Sequence, residues 1–145
     1  MIPMQEIVMY SDGGSRGNPG PAALGVYIET LGKQYGEYLG TKTNNEAEYM
    51  AIISGLKKIK ALIGKEQAKM TAVECRMDSE LAVRQLTHRY KVEKEHIQKL
   101  CFQVWNLALD FGQVSFVHVR REQNVVADRM ANEAMDRGMQ QTTLL

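Results

Sequence analysis

The hydrophobic period of the chain changes at residue 44, and that change limits the folds open to it. Before it, short β-rich runs are separated by glycine-containing turns; after it, apolar residues recur at helical spacing, interrupted twice by strand-like runs. Glu6–Asp12, centred on Ile7-Val8-Met9-Tyr10, reads as a strand closed by the turn cluster Ser11-Asp12-Gly13-Gly14. Ala22–Glu29 and Gln34–Gly40 read as two more strands, joined by a tight hairpin at Leu31-Gly32-Lys33. From Asn44 to about Gly64, Ile52, Leu56, Ile59 and Ile63 form one buried helical stripe, which Thr43 or Asn44 can cap. Met70–Asp78 alternates as a strand. Helices follow over Ser79 to about His88 and Glu93–Phe111, then a strand over Val114–Val119 and a helix from Val125 to about Arg137. Gly138 is expected to end that helix and to leave 139–145 as a flexible tail behind a domain of residues 1–138. The order β-β-β-α-β-α-α-β-α predicts an α/β fold. Its mixed five-stranded sheet has three antiparallel strands, then parallel ones, with helices on both faces and the first strand near the centre.

With 145 residues the chain has one domain's worth of length, enough to bury a core without staples. Its net charge of +1 makes it neither a basic nucleic-acid binder by bulk charge nor an acidic chain, so any binding rests on local patches. Cys75 and Cys101 lack metal-site spacing and read as buried reduced thiols of a cytoplasmic protein. Neither a signal-peptide pattern nor a membrane-length apolar run is visible, so no membrane association is expected.

Four carboxylates stand in unusual places. Asp12 and Asp78 each end a strand, and if those strands are parallel both acids reach the sheet edge where open α/β sheets bind ligands. Glu48, four residues before Ile52, lies on the buried stripe of its own helix. Asp128 sits in the first turn of the last helix, one turn before Ala131 and beside its packed face. Taken singly, each has an ordinary explanation as a turn acid or a helix acid. Taken together they need a partner: positions 44 and 52 beside Glu48 are Asn and Ile, and converging acids repel one another and take up protons. A divalent cation removes that conflict, and oxygen-only ligands select Mg²⁺ or Mn²⁺.

Four ordered blocks carry these acids: Asp12-Gly13-Gly14-Ser15-Arg16-Gly17-Asn18-Pro19-Gly20, Thr43-Asn44-Asn45 with Glu48, Met77-Asp78-Ser79, and Asn124 with Ala127-Asp128, Ala131 and Asn132. Together they resemble the signature of type 1 ribonuclease H over nearly the whole chain. The resemblance implies the ribonuclease H fold and hydrolysis of the RNA strand of RNA–DNA hybrids, leaving 5′-phosphate and 3′-hydroxyl ends. It makes Asp12, Glu48, Asp78 and Asp128 ligands of two Mg²⁺ ions, with Mn²⁺ able to substitute. Asp12 would bridge the ions, Asp128 complete the one that activates water, and Glu48 and Asp78 hold the one at the leaving oxygen. It sets Ser15, Gly17 and Asn18 beside the RNA sugar–phosphate chain, Asn44 and Asn45 at minor-groove edges and sugars, and Thr43 at a DNA-strand phosphate. Asn18-Pro19-Gly20 also suits an ordinary turn, and Thr43 and Asn44 also suit a helix cap.

The sequence departs from one branch of that family. His88-Arg89-Tyr90-Lys91 leads directly into the next helix with no Trp- and Lys-rich protrusion, as in compact members, so the turn reads either as a small phosphate-contacting patch or as a solvated turn. Double-stranded RNA is then a further possible substrate, and a monomer is expected. Many relatives use a mobile His ten residues before the last Asp, which is the spacing of His118. Compact relatives use an Arg seven residues before it, which is Arg121, the favoured assistant here. Glu80 is an acid out of place beside nucleic acid. Trp105 and the methionines read as core. The competing functions are a binding module of the same fold without chemistry, and another nuclease such as a junction resolvase or integrase core.

Overall fold

The computed structural model describes residues 4–144. Strands β1 (Gln5–Ser15), β2 (Gly20–Ile28) and β3 (Lys33–Lys42) form an antiparallel meander. They are followed by α1 (Asn44–Ile63), the single-turn α2 (Lys65–Ala68), β4 (Thr71–Met77), α3 (Glu80–Leu86), α4 (Glu95–Ala108), β5 (Gln113–His118) and α5 (Val125–Leu144). The sheet order is β3-β2-β1-β4-β5, with β1 antiparallel to β2 and parallel to β4, and β5 parallel to β4. β1 is therefore the central strand, as its apolar run Ile7-Val8-Met9 requires.

The two faces of the sheet are covered unequally. On one, Ile7 and Met9 of β1 and Val26 and Ile28 of β2 meet Ile52, Leu56 and Ile59 of α1, and α4 adds Ile97, Cys101 and Val104. Burying such side chains is worth about 1.5–3 kcal/mol each, so this face dominates stability. On the other, α5 lies across β2 and β3 over a small cluster of Ala23, Ala134 and Met135, with Tyr38 and Met139 beside it. A cluster of such small residues contributes less, and close backbone approach replaces side-chain bulk. A Cβ at Gly25 of β2 would collide with the Ala127 carbonyl of α5, so only glycine lets the helix settle there.

Several element ends differ from the sequence reading. Ser11-Asp12-Gly13-Gly14 is strand, not turn: β1 keeps pairing with β2 to Ser15↔Ala22, beyond the last parallel pair with β4, Ser11↔Met77. The β2–β3 connection is a 3-10 turn over Glu29–Leu31 closed by Gly32 at φ 64°, not a tight hairpin. α4 starts at Glu95 rather than Glu93, and α2 was not expected. α5 does not stop at Gly138 but continues to Leu144; residue 145 of the expected tail lies outside the described residues. Gly138 is buried under the Tyr38 ring, which fills the space a Cβ would need. That glycine serves packing rather than a helix end. Cys75 and Cys101 are buried and free.

Candidate active site

Four separate elements deliver the four acids to one cleft of about 390 Å³. Asp12 lies on β1 one residue past the parallel ladder, and Asp78 follows the last residue of β4, so the register sets them side by side. Asp12 pairs with Gly25, whose side-chain-free backbone receives α5, and this brings the first turn of α5 and Asp128 over the same edge. Gly13, the next residue, faces the opposite side, where a Cβ would strike the backbone of Ala47 and Glu48. α1 is thereby pressed onto β1 at the turn that carries Glu48.

Two polar side chains fix this arrangement. Ser79 caps α3, its Oγ accepting the Ala82 N–H at 3.2 Å, and the same hydroxyl donates to Glu48 Oε2 at 2.8 Å. One hydroxyl thus joins the start of α3 to the α1 acid. The buried Asn124 donates from Nδ2 to the Ser11 carbonyl at 2.9 Å, tying the approach to α5 to the residue before Asp12. The signature blocks contained both residues, but neither had a positioning role in the sequence reading. A serine between a strand-end acid and a helix is the signal that could have identified the first.

The acids perturb one another. Burial, the Asp78 charge and a hydrogen bond with Asp128 push the Asp12 carboxyl up to about 8. Burial raises Glu48 to about 7, with Asp78 adding to the rise and the Ser79 hydroxyl opposing it. Burial also raises Asp78, while the Arg121 charge pulls it back and Asp128 raises it again. At neutral pH, then, Asp12 retains its proton among acids that would otherwise repel it. Among the described residues no three such groups surround a single point closely enough to hold an ion as they stand. The donor set nonetheless fits a hard divalent cation: it is oxygen-only, crowded with like charge, and stabilised at present by a proton that a cation would replace.

The other predicted residues divide. Asn44 Oδ1 accepts both the Ser15 N–H at 2.8 Å and the Ser15 hydroxyl at 3.1 Å, and the Asn44 N–H donates to Asn18 Oδ1 at 3.1 Å. The loop after β1 and the start of α1 therefore form one connected rim, with Ser15 and Asn44 lining the cleft itself. Gly17 lies exposed in that loop at φ 96°. Thr43 is the cap of α1 in a reciprocal box with Glu46. Asn45 opens instead onto a separate pocket bounded by Gln85 and Lys91–Lys94. Arg121 lines the acid cleft, whereas His118, at the end of β5, lines a neighbouring groove with Arg84 and Arg89. Both still act on Asp78 through charge. Glu80 is tied back to Arg84 at 2.7 Å and does not line the cleft. In the turn after α3, His88 stacks on Trp105 with ring centroids 4.8 Å apart, and Arg84 lies over Tyr90. Two of the four residues of the suspected phosphate patch are thus engaged in packing.

A family described as reverse transcriptase-like matches residues 11–134. Over 140 residues the chain is 39% identical to the bifunctional protein Rv2228c of Mycobacterium tuberculosis, covering 93% of this chain and 37% of that protein. It is 37% identical to ribonuclease HI of Halobacterium salinarum over 131 residues, covering 88% of this chain and 63% of the relative. The chain thus spans only part of either protein. Among solved structures, LC11-RNase H1 in complex with an RNA/DNA hybrid superposes with a TM-score of 0.85 at 39% identity, covering 92% of this chain and 99% of that one. The matching family, the related sequences and the superposing fold agree: the chain belongs to the type 1 ribonuclease H family.

Proposed function

We propose that this chain is an endoribonuclease that hydrolyses the RNA strand of RNA–DNA hybrids, leaving 5′-phosphate and 3′-hydroxyl ends. The observation that carries the reading is the convergence of Asp12, Glu48, Asp78 and Asp128 on one cleft. The similarity to a ribonuclease H1 crystallised with an RNA/DNA hybrid supports the choice of substrate.

In this reading Asp12, Glu48, Asp78 and Asp128 would together hold two Mg²⁺ ions, or Mn²⁺ in their place. Such ions, when bound, supply Lewis-acid chemistry that favours an attacking water and a departing 3′ oxygen. The chain's own residues do the rest. Asp12 would release its proton to solvent as a cation took its place, and Ser79 keeps Glu48 turned to the site. The Ser15–Asn44–Asn18 rim offers amide and hydroxyl groups to RNA sugars and phosphates, with Gly17 allowing close backbone approach and Asn45 and Thr43 extending the surface along α1. Arg121 balances charge beside Asp78 and is the group best placed to assist product departure; His118 acts on the same acid from outside the cleft. The buried free thiols of Cys75 and Cys101 support a reducing, cytoplasmic setting. No helix among the described residues is long and apolar enough to cross a membrane.

The test is one gel with labelled hybrid, double-stranded RNA and DNA, each with Mg²⁺ and with EDTA. The RNA strand of the hybrid is cut only with metal, and Asp12→Asn reduces cutting to background. Cleavage of double-stranded RNA as well would broaden the substrate class, and cleavage of DNA alone would contradict the reading. Equal hybrid affinity with and without metal, and no product, would make the chain a binding module.

A further inference from the structure

Among the residues lining the acid cleft, only Arg16 and Arg121 are cationic. A phosphodiester strand entering here meets four acids, so the cations beside them weigh heavily in binding. The two arginines come from different segments of the rim and have different partners. Arg121 belongs to the 3-10 turn before α5 and acts on Asp78. Arg16, in the loop after β1, reaches Asp136 of α5 with Nη2 2.7 Å from Oδ1, two turns or about 12 Å along the helix beyond Asp128.

Three features mark the Arg16–Asp136 pair as exchangeable rather than structural. First, the loop is held without it: the Arg16 N–H donates to the Pro21 carbonyl at 2.8 Å, and the Ser15 N–H donates to Asn44 at 2.8 Å. Second, the pair is open to water, with side chains 43% and 67% exposed, so solvent screens it and releasing it costs little. Third, the remaining contact of the guanidinium, from Nη1 to the Met139 sulfur at 3.4 Å, is to a weak acceptor. A phosphate offers the same fork a second anionic partner of matching shape.

We propose that Arg16 binds a phosphate of the RNA strand flanking the cleavage site, and that Asp136 holds the guanidinium at the rim until that phosphate displaces it. This rests on the hybrid-hydrolysis reading above. The acids engage the strand that is cut, so the phosphate within reach of their neighbour Arg16 belongs to that strand. Arg16 is then a substrate-binding residue that acts on affinity and strand placement, and Asp136 is its competitor.

The experiment compares wild type, Arg16→Ala, Arg16→Lys and Asp136→Asn. It measures KM and kcat on hybrid with Mg²⁺ across a KCl series, and binding of fluorescent hybrid in EDTA. Arg16→Ala is expected to raise KM and Kd about five- to tenfold with kcat changed less than about twofold. It also flattens the dependence of log affinity on log salt by about 0.9, one phosphate contact. Arg16→Lys recovers part of the loss, keeping the charge without the fork. Asp136→Asn moves the opposite way, lowering KM about two- to threefold. If the pair only anchored the fold, both variants would lose melting temperature and affinity together, and the proposal would be overturned. Unchanged KM and salt slope in Arg16→Ala would overturn it as well. Should that variant fail to fold, Asp136→Asn decides alone: no gain in affinity overturns the proposal. Wild type that cuts hybrid while the variants behave like it removes only the role of Arg16. Wild type that neither binds nor cuts hybrid removes the functional reading itself.

Discussion

Asp12 is the most perturbed of the four acids, and its surroundings make opposite demands on stability and chemistry. Its carboxyl is raised to about 8 from an ordinary 3.8, and that of Glu48 to about 7 from 4.5, mainly by burial. The folded chain therefore holds protons that the unfolded chain has already released. Their stabilising contribution is complete below the ordinary carboxylate range and is lost as pH rises through 7 and 8. The metal-free melting temperature is accordingly expected to fall between about pH 5 and pH 9, and Asp12→Asn is expected to flatten that profile. At pH 8 in EDTA the same variant is neutral or stabilising, by up to about 1 kcal/mol, because it removes a like charge from the cluster. A clear loss of melting temperature for Asp12→Asn in EDTA would contradict this. Ser79→Ala is predicted to cost about 1 kcal/mol through the lost cap and also to weaken cleavage by releasing Glu48, measurable by unfolding and rate on the same sample. At this scale the acids were legible because each stands at a strand end or beside a packed helix face, and Glu48 has no basic residue at i±4. Ser79 and Asn124 were not, because their value lies in partners 31 and 113 residues away.

At the scale of elements, the site depends on how closely two helices approach the sheet, α1 at β1 and α5 at β2. α5 rests on Gly25 and α1 on Gly13, and each contact brings its acid to the same strand edge. Gly25→Ala forces the Ala127 carbonyl away and is expected to destabilise by about 2–3 kcal/mol while moving Asp128 out of line, so activity falls further than stability does. Circular dichroism melting and hydrolysis rate check the two parts separately. Periodicity revealed the main strands and helices here, since Ile52, Leu56 and Ile59 announce a buried helical face. It failed at the ends. Gly13 and Gly138 have the composition of turns and helix stops, yet they are places where another element comes too close for a side chain, and a local pattern does not distinguish these two uses of glycine.

For the molecule as a whole, a broad apolar core on the α1 face supports a cleft whose acids are partly frustrated without a cation. Added Mg²⁺ should raise the wild-type melting temperature by mass action, by about 2.7 kcal/mol of stability at a hundredfold excess over the dissociation constant, and should do far less for Asp12→Asn. The measurement that tests the central claim most directly is a crystal soaked in Mn²⁺, with the metal located by its anomalous scattering. The account predicts Mn²⁺ coordinated by Asp12 together with carboxylate oxygens from Glu48, Asp78 or Asp128, and no such peak in Asp12→Asn. Manganese bound elsewhere, with the four acids left out of coordinating reach, would contradict it.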